Sequence, residues 1–286
     1  MKRNLNGTQR ILILGASGFL GNALYRELLS YFDVYGTYYS SGARYDENQV
    51  FFQYSLEDDN LEDLLMKITP TAVISSLEGD YSRQLKAHRQ LCTYAQDTGC
   101  QAVFLSSVSV FDGIHDFPSH EYDRPLAESN FGKHKIRIER LLLEQIPDQT
   151  TIIRLPFVLG VNSVLITQLR QAIKHHAAFE VFPNQVVKAT TVDKIVQQVH
   201  YLIRNRKTGI FHSGSQDVIH HEDLFREIAS KLGDKMPIFK SVFTRNEDSY
   251  LAALPRENPW PETYSISIAE TIEESTLNEE IITLKN

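Results

Sequence analysis

Cysteine is scarce in this chain of 286 residues: Cys92 and Cys100 are the only two. They lack the paired spacing of a metal site, and two thiols build no disulfide framework, so a reducing, cytoplasmic setting is expected. No apolar run is long enough to span a membrane, and Met1 to Gly7 holds no apolar stretch of the signal-peptide kind. Basic charge is in deficit, with 29 Lys and Arg against 36 Asp and Glu and a net charge of −7. That balance argues against a nucleic-acid surface, which needs clustered positive charge. The small basic cluster Arg204-Asn205-Arg206-Lys207 reads as a solvated helix end. The doubled histidines, His175-His176 and His220-His221, have no acidic or cysteine ligands at helical spacing. Exposed helix or loop positions are therefore their simpler reading, and no metal is expected.

What is present is organised around one stretch. Ile11-Leu12-Ile13-Leu14 is a continuous apolar run, and Gly15-Ala16-Ser17-Gly18-Phe19-Leu20-Gly21 spaces its glycines G-x-x-G-x-x-G. Residues 22–29 then show helical period. A buried strand, a tight turn and a helix in that order form a phosphate cradle, because residues without a β-carbon let backbone N–H groups approach a pyrophosphate at the positive end of a helix. A lone glycine pattern is weak evidence, and the strand before it and helix after it supply the context it needs.

Further strands are expected at 33–39, 50–54, 71–76, 101–107 and 151–156, with helices between them, including an acidic one over 57–67. This alternation implies an α/β fold with a doubly wound parallel sheet, whose ligands bind at the carboxyl ends of the strands. Ser75, Ser76, Ser106 and Ser107 stand at such ends. The second strand ends without the acidic residue that would hold ribose hydroxyls and repel a 2′-phosphate. Ser40, Ser41 and Arg44 follow instead and suit NADP better than NAD, although Ser40-Ser41-Gly42 reads equally well as a plain loop. His88 falls on an apolar helical face and is either a core histidine or a cleft residue, with periodicity favouring the core. A proline-bearing loop over 114–128 is long enough to cover a site. Ser129-Asn130 can cap the following helix, on which residues 131 and 135 share a face. The alternation breaks after Pro156. The expected division is a dinucleotide-binding part, 1–157, to which 188–213 returns, and a smaller discontinuous substrate region, 158–187 and 214–286.

These residues together resemble the extended short-chain dehydrogenases/reductases, and more closely their dTDP-4-dehydrorhamnose reductase-like branch. The resemblance is carried by Gly15, Gly18 and Gly21, by Ser106-Ser107 with Val110-Phe111-Asp112-Gly113, by the Phe131 to Lys135 helix and by Arg154-Leu155-Pro156. Phe182-Pro183-Asn184-Gln185, Thr190-Thr191-Val192-Asp193 and Gly209-Ile210-Phe211-His212 extend it. It implies a Rossmann-type sheet, a nicotinamide cofactor with NADP preferred, a sugar-nucleotide or other small carbonyl substrate, and a homodimer. Carried over residue by residue, the cofactor contacts fall at Gly15, Ser17, Gly18, Phe19, Leu20, Tyr39, Ser40, Ser41, Arg44, Ser55, Leu56, Ser75, Ser76, Ser106, Lys135 and Pro156.

The family reduces a ketone with a Ser or Thr, a Tyr and a Lys, the last two spaced Tyr-x-x-x-Lys. A hydride delivered to the carbonyl leaves negative charge on oxygen, which the tyrosine protonates while the lysine lowers its pKa. Ser107 matches the hydroxyl donor and Lys135 the lysine. Phe131 occupies the tyrosine position and has no proton to give. Two further departures are Ser107-Val108-Ser109 in place of a Thr-Asp-Tyr run and Ser55 in place of an Asp that contacts adenine. Three readings follow: a reductase using another proton source, a dinucleotide-binding sensor or regulatory partner, and an epimerase or lyase on the same scaffold.

Overall fold

A computed structural model describes residues 9–40, 49–233 and 235–277. The apolar run forms strand β1 (Arg10–Leu14), in which Ile11, Leu12, Ile13 and Leu14 are all buried. Successive strand residues face opposite ways, so burial of all four means that both faces of the sheet are covered there. β1 pairs in parallel with β2 (Asp33–Tyr38) and with β4 (Ala72–Ser75). β2 pairs likewise with β3 (Phe51–Gln53), and β4 with β5 (Gln101–Ser107). With β6 (Thr150–Leu155) and β11 (Gly209–His212) they form a seven-stranded sheet in the order β11-β6-β5-β4-β1-β2-β3. The expected doubly wound α/β class is the class observed. Strand order reverses between β1 and β4, where such sheets open a crevice at their carboxyl ends.

Helices α1 (Phe19–Leu28), α2 (Leu61–Ile68), α3 (Tyr81–Thr98) and α4 (Asn130–Gln145) alternate with these strands. Leu12, Leu14, Val73 and Phe104 from the sheet pack with Leu61, Leu65, Leu91, Cys92, Ile138 and Leu142 from α2, α3 and α4. α2 starts four residues later than expected. The Ser55 N–H donates to Asp59 at 2.6 Å and the Glu57 N–H to Ser55 Oγ at 3.1 Å, which turns the acidic stretch into a loop. Asn60 then accepts the Glu62 N–H and caps the helix.

Two compact units divide the chain. Unit 1 is Met1–Ser107, Asn130–Ile153 and Val196–Phe211, and unit 2 is Val108–Ser129, Arg154–Ile195 and His212–Asn286. The loop over 108–129, expected within 1–157, clusters with unit 2 because its backbone bonds run there: the Ser119 N–H donates to Ala252 O and the Leu254 N–H to Ser119 O. In unit 2, β7 (Phe157–Leu159) pairs with β10 (Ala189–Thr191), and β8 (Ala178–Val181) with β13 (Ile238–Ser241). Its core draws Leu169 from α5 (Val164–His175), Leu224, Phe225 and Ile228 from α7 (His221–Leu232) and Ile272 from α8 (Ile268–Ser275). α6 (Val192–Arg204) begins in unit 2 and ends in unit 1.

One expectation fails here. His175 and His176 are exposed, but His221 is buried among Phe157, Phe182 and Phe225, with ring centroids 4.8–5.5 Å away. Burial pushes its pKa down to about 4, so it serves as a neutral aromatic core residue. Among the described residues no helix is long and apolar enough to cross a membrane, and no group of three or more His, Cys, Asp or Glu could hold a metal ion.

Candidate functional site

The turn after β1 is built by what its glycines omit. Gly15 has a φ of +81°, and a Cβ there would lie 2.5 Å from the Ser76 carbonyl oxygen. A Cβ at Gly21 would lie 2.1 Å from Gly15 O, so only glycine lets α1 close onto the turn. The Gly15 N–H donates to Thr37 Oγ1 at 2.8 Å and the Ser17 N–H to Thr37 O at 3.3 Å, tying the turn to β2. Gly18 is the N-cap of α1 and offers no side chain to its first turn, which also holds no acidic residue. The N–H groups of Phe19, Leu20 and Gly21 therefore open the helix, with no acidic side chain in its first turn to offset the positive dipole end. Ser17, Gly18 and Phe19 are exposed around this end.

The neighbouring strand ends hold the other residues expected near a cofactor. Ser75 ends β4 with its hydroxyl buried and without a hydrogen-bond partner, while the Ser76 N–H donates to Leu14 O. Tyr39 and Ser40 follow β2 and are exposed; Ser41 and Arg44 lie outside the described residues. The Ser55 hydroxyl is engaged within its own turn by Asp58 and Glu57. Leu56 is half-buried, 3.4 Å from where a Cβ of Gly79 would be.

Helix α4 brings Phe131 and Lys135 to the end of β5, which carries half-buried Ser107. The Lys135 Nζ donates to Leu105 O at 3.0 Å and lies 4.7 Å from the Phe104 ring centroid and 5.5 Å from that of Phe131. Phe131 is 42% exposed, whereas Lys135 is buried. Burial pushes the Lys135 pKa down to about 8, against the opposing pull of Glu139 and Glu78. The Ser106 hydroxyl is turned onto α4 and donates to Glu139 Oε1 at 2.6 Å. Glu139 escaped the sequence reading; an acidic residue one turn beyond Lys135, on the apolar face of the helix, was the available signal.

His88 sits in the core, as periodicity favoured. Its Nδ1 meets Gln84 O at 2.7 Å, its Nε2 is buried without a partner, and its ring stands edge-on to Phe104. His134 stacks on Tyr81 and reaches Gln84 Oε1 at 3.1 Å. Burial holds both histidines down to about 4.

Unit 2 holds Pro156, whose Cγ lies 3.1 Å from where a Cβ of Gly214 would be. Buried Arg154 donates to Glu121 O at 3.0 Å, meets His212 Nε2 at 3.2 Å and covers the Phe111 ring. The Glu121 carboxylate accepts the Arg256 and Asn258 N–H groups, and Trp260 donates to His212 O, so the proline-rich segment is packed rather than free. Tyr122 is 71% exposed.

A family model described as the RmlD substrate binding domain matches residues 9–258. The chain belongs to that family. It thereby falls in the dTDP-4-dehydrorhamnose reductase-like branch of the extended short-chain dehydrogenases/reductases. A dTDP-4-keto-6-deoxy-D-glucose reductase of Streptomyces niveus is 28% identical over 152 residues, 51% of each chain. Methionine adenosyltransferase 2 subunit beta of Danio rerio is 24% identical over 164 residues, 53% of this chain and 49% of that one. The chain thus spans about half the length of the curated relatives it matches. Among solved structures, the Bacillus anthracis dTDP-4-dehydrorhamnose reductase in complex with NADP aligns with a TM-score of 0.75 at 18% identity, covering 94% of this chain and 99% of that one. The Bordetella bronchiseptica enzyme WbmG in complex with NAD aligns with a TM-score of 0.76 at 16% identity, covering 96% and 94%. At these identities the structures establish the shared fold.

Proposed function

We propose that the chain binds a nicotinamide dinucleotide, NADPH in preference to NADH, and that Phe131 leaves it without the proton donor its family uses to reduce sugar-nucleotide ketones. The observation that carries this is the pairing of a buried, retained Lys135 with a phenyl ring 5.5 Å away. The residues present fit the cofactor. Gly15 and Gly21 leave room for close backbone approach, and the uncapped end of α1 offers N–H groups to a pyrophosphate. Ser75 presents a buried hydroxyl that lacks a partner.

In this reading Gly15, Ser17, Gly18, Phe19 and Leu20 hold the pyrophosphate, and Tyr39, Ser40, Ser41 and Arg44 receive the adenosine ribose and its 2′-phosphate. Ser55 and Leu56 flank the adenine, while Ser76 and Ser106 lie on the nicotinamide side. Lys135 donates to ribose hydroxyls. The end of β2 carries Tyr38, Tyr39 and Ser40 and no acidic residue, which supports the preference for NADPH, since a carboxylate there would repel its phosphate. The bound dinucleotide supplies a hydride. Ser107 can hold a substrate carbonyl by its hydroxyl, but the Phe131 ring cannot protonate the oxygen, and positioned general-acid catalysis is worth about 10²–10⁴ in rate. The same observation favours a second reading, in which the bound dinucleotide serves sensing or regulation. One curated relative is itself named as a subunit of another enzyme.

Titration calorimetry of the full chain with NADPH and NADH tests the binding. One site per chain is expected, tighter for NADPH, and weakened about tenfold or more by Lys135→Ala through loss of a charge-assisted donor. Absence of heat with either dinucleotide would reject the proposal.

A further inference from the structure

Helix α4 is fastened to β5 by two adjacent polar contacts. The Lys135 Nζ donates to Leu105 O at 3.0 Å, and Ser106 Oγ donates to Glu139 Oε1 at 2.6 Å. Leu105 and Ser106 are successive in the strand, and residues 135 and 139 are one turn apart on one helix face. Both charged side chains are buried, Lys135 at 9% and Glu139 at 2% exposure. Burying a carboxylate costs free energy unless it is paired or hydrogen-bonded. At the next position, Arg140 is exposed, so the same helix has a solvated place for charge. Placing a carboxylate on the buried face of α4 thus calls for a function there.

The groups around Lys135 narrow what that function is. From β5 come the Leu105 carbonyl and the Phe104 ring, and from α4 come Phe131, His134 and Glu139. His88 acts from α3, and Glu78 from the segment between β4 and α3. Both histidines are held neutral by burial at physiological pH. Two carboxylates remain, and of these Glu139 is buried one helical turn from Lys135, whereas Glu78 is exposed.

We propose that Glu139 is a positioning residue for dinucleotide binding: it balances the buried Lys135 ammonium from one turn along α4, while Ser106 fixes its carboxylate to β5. The inference rests on the reading that Lys135 binds the dinucleotide. With Glu139 neutral, the ammonium loses its proton at lower pH. A neutral amine is then a weaker donor and carries no charge to an anionic ligand.

The test measures NADPH affinity by calorimetry from pH 6 to 9.5 for the wild type, Glu139→Asp and Glu139→Gln. Gln keeps an acceptor for Ser106 and removes the charge; Asp keeps the charge but withdraws it. The alkaline midpoint for loss of binding is expected to fall in the order wild type, Asp, Gln, with a total displacement of about one pH unit. At pH 6.5 the three affinities agree within about threefold, as expected where the amine is protonated in each. A purely structural role would weaken binding equally at every pH. Equal midpoints in the wild type and in every variant that folds overturn the proposal, and Asp against wild type decides it alone if Gln does not fold. Failure of the wild type to bind NADPH at any pH overturns the function itself.

Discussion

Lys188 shows how one side chain in unit 2 works against stability. It is 2% exposed, and its Nζ has a 3.4 Å contact with Ala253 O, a long bond for a buried ammonium. Burial pushes its pKa down to about 8, with Asp217 opposing. Because the folded value lies below the unfolded one near 10.4, the unfolded chain binds more protons between them, and stability rises with pH across that window. Below pH 8 the full cost is present. Lys188→Met is therefore expected to stabilise the chain by about 1–3 kcal/mol at pH 7, since an apolar isostere removes the buried charge. Denaturant melts at pH 7 and pH 10 check this: the rise between them should shrink in the variant.

At the scale of elements, the β1-turn-α1 unit depends on Gly21. Gly21→Ala would place a methyl group 2.1 Å from Gly15 O, against backbone rather than a movable side chain. A loss of about 3 kcal/mol is expected, at the upper end for overpacking, together with NADPH affinity, because α1 must retreat from the turn. A melt and a calorimetric titration of the variant check both. This unit was legible in the sequence because it is local: strand, turn and helix are contiguous and each has its own period. The same holds for β5 ending at Ser106-Ser107 and for the shared face of Phe131 and Lys135. Contacts between distant residues were not legible. Ser106 meets Glu139 across 33 residues of sequence, and no local period announces that pairing. The start of α2 was missed because side-chain bonds from Ser55 to Asp58 and Asp59 outcompeted the helix. His221 was misread because a histidine adjacent to another looks polar in sequence, whereas three phenylalanines from separate segments enclose it.

For the whole molecule, neutral histidines in both units set an acid limit. His88, His134, His212 and His221 are each pushed by burial down to about 4. Between pH 6.5 and 4 the unfolded chain takes up protons that the folded one refuses, so stability falls as pH is lowered through that range. A Tm at pH 5 roughly 5 °C or more below that at pH 7 is expected by calorimetry. The overall architecture was readable because alternating strands and helices admit few topologies. Function was less so, because one scaffold serves many chemistries, and the proposed reading turns on the single ring of Phe131. The most direct measurement is NADPH oxidation with a dTDP-4-dehydro sugar by the wild type and by Phe131→Tyr. A gain of about 10²-fold or more is expected on restoring the hydroxyl above Lys135. Equal rates in the two proteins would contradict the claim that Phe131 is what withholds the chemistry.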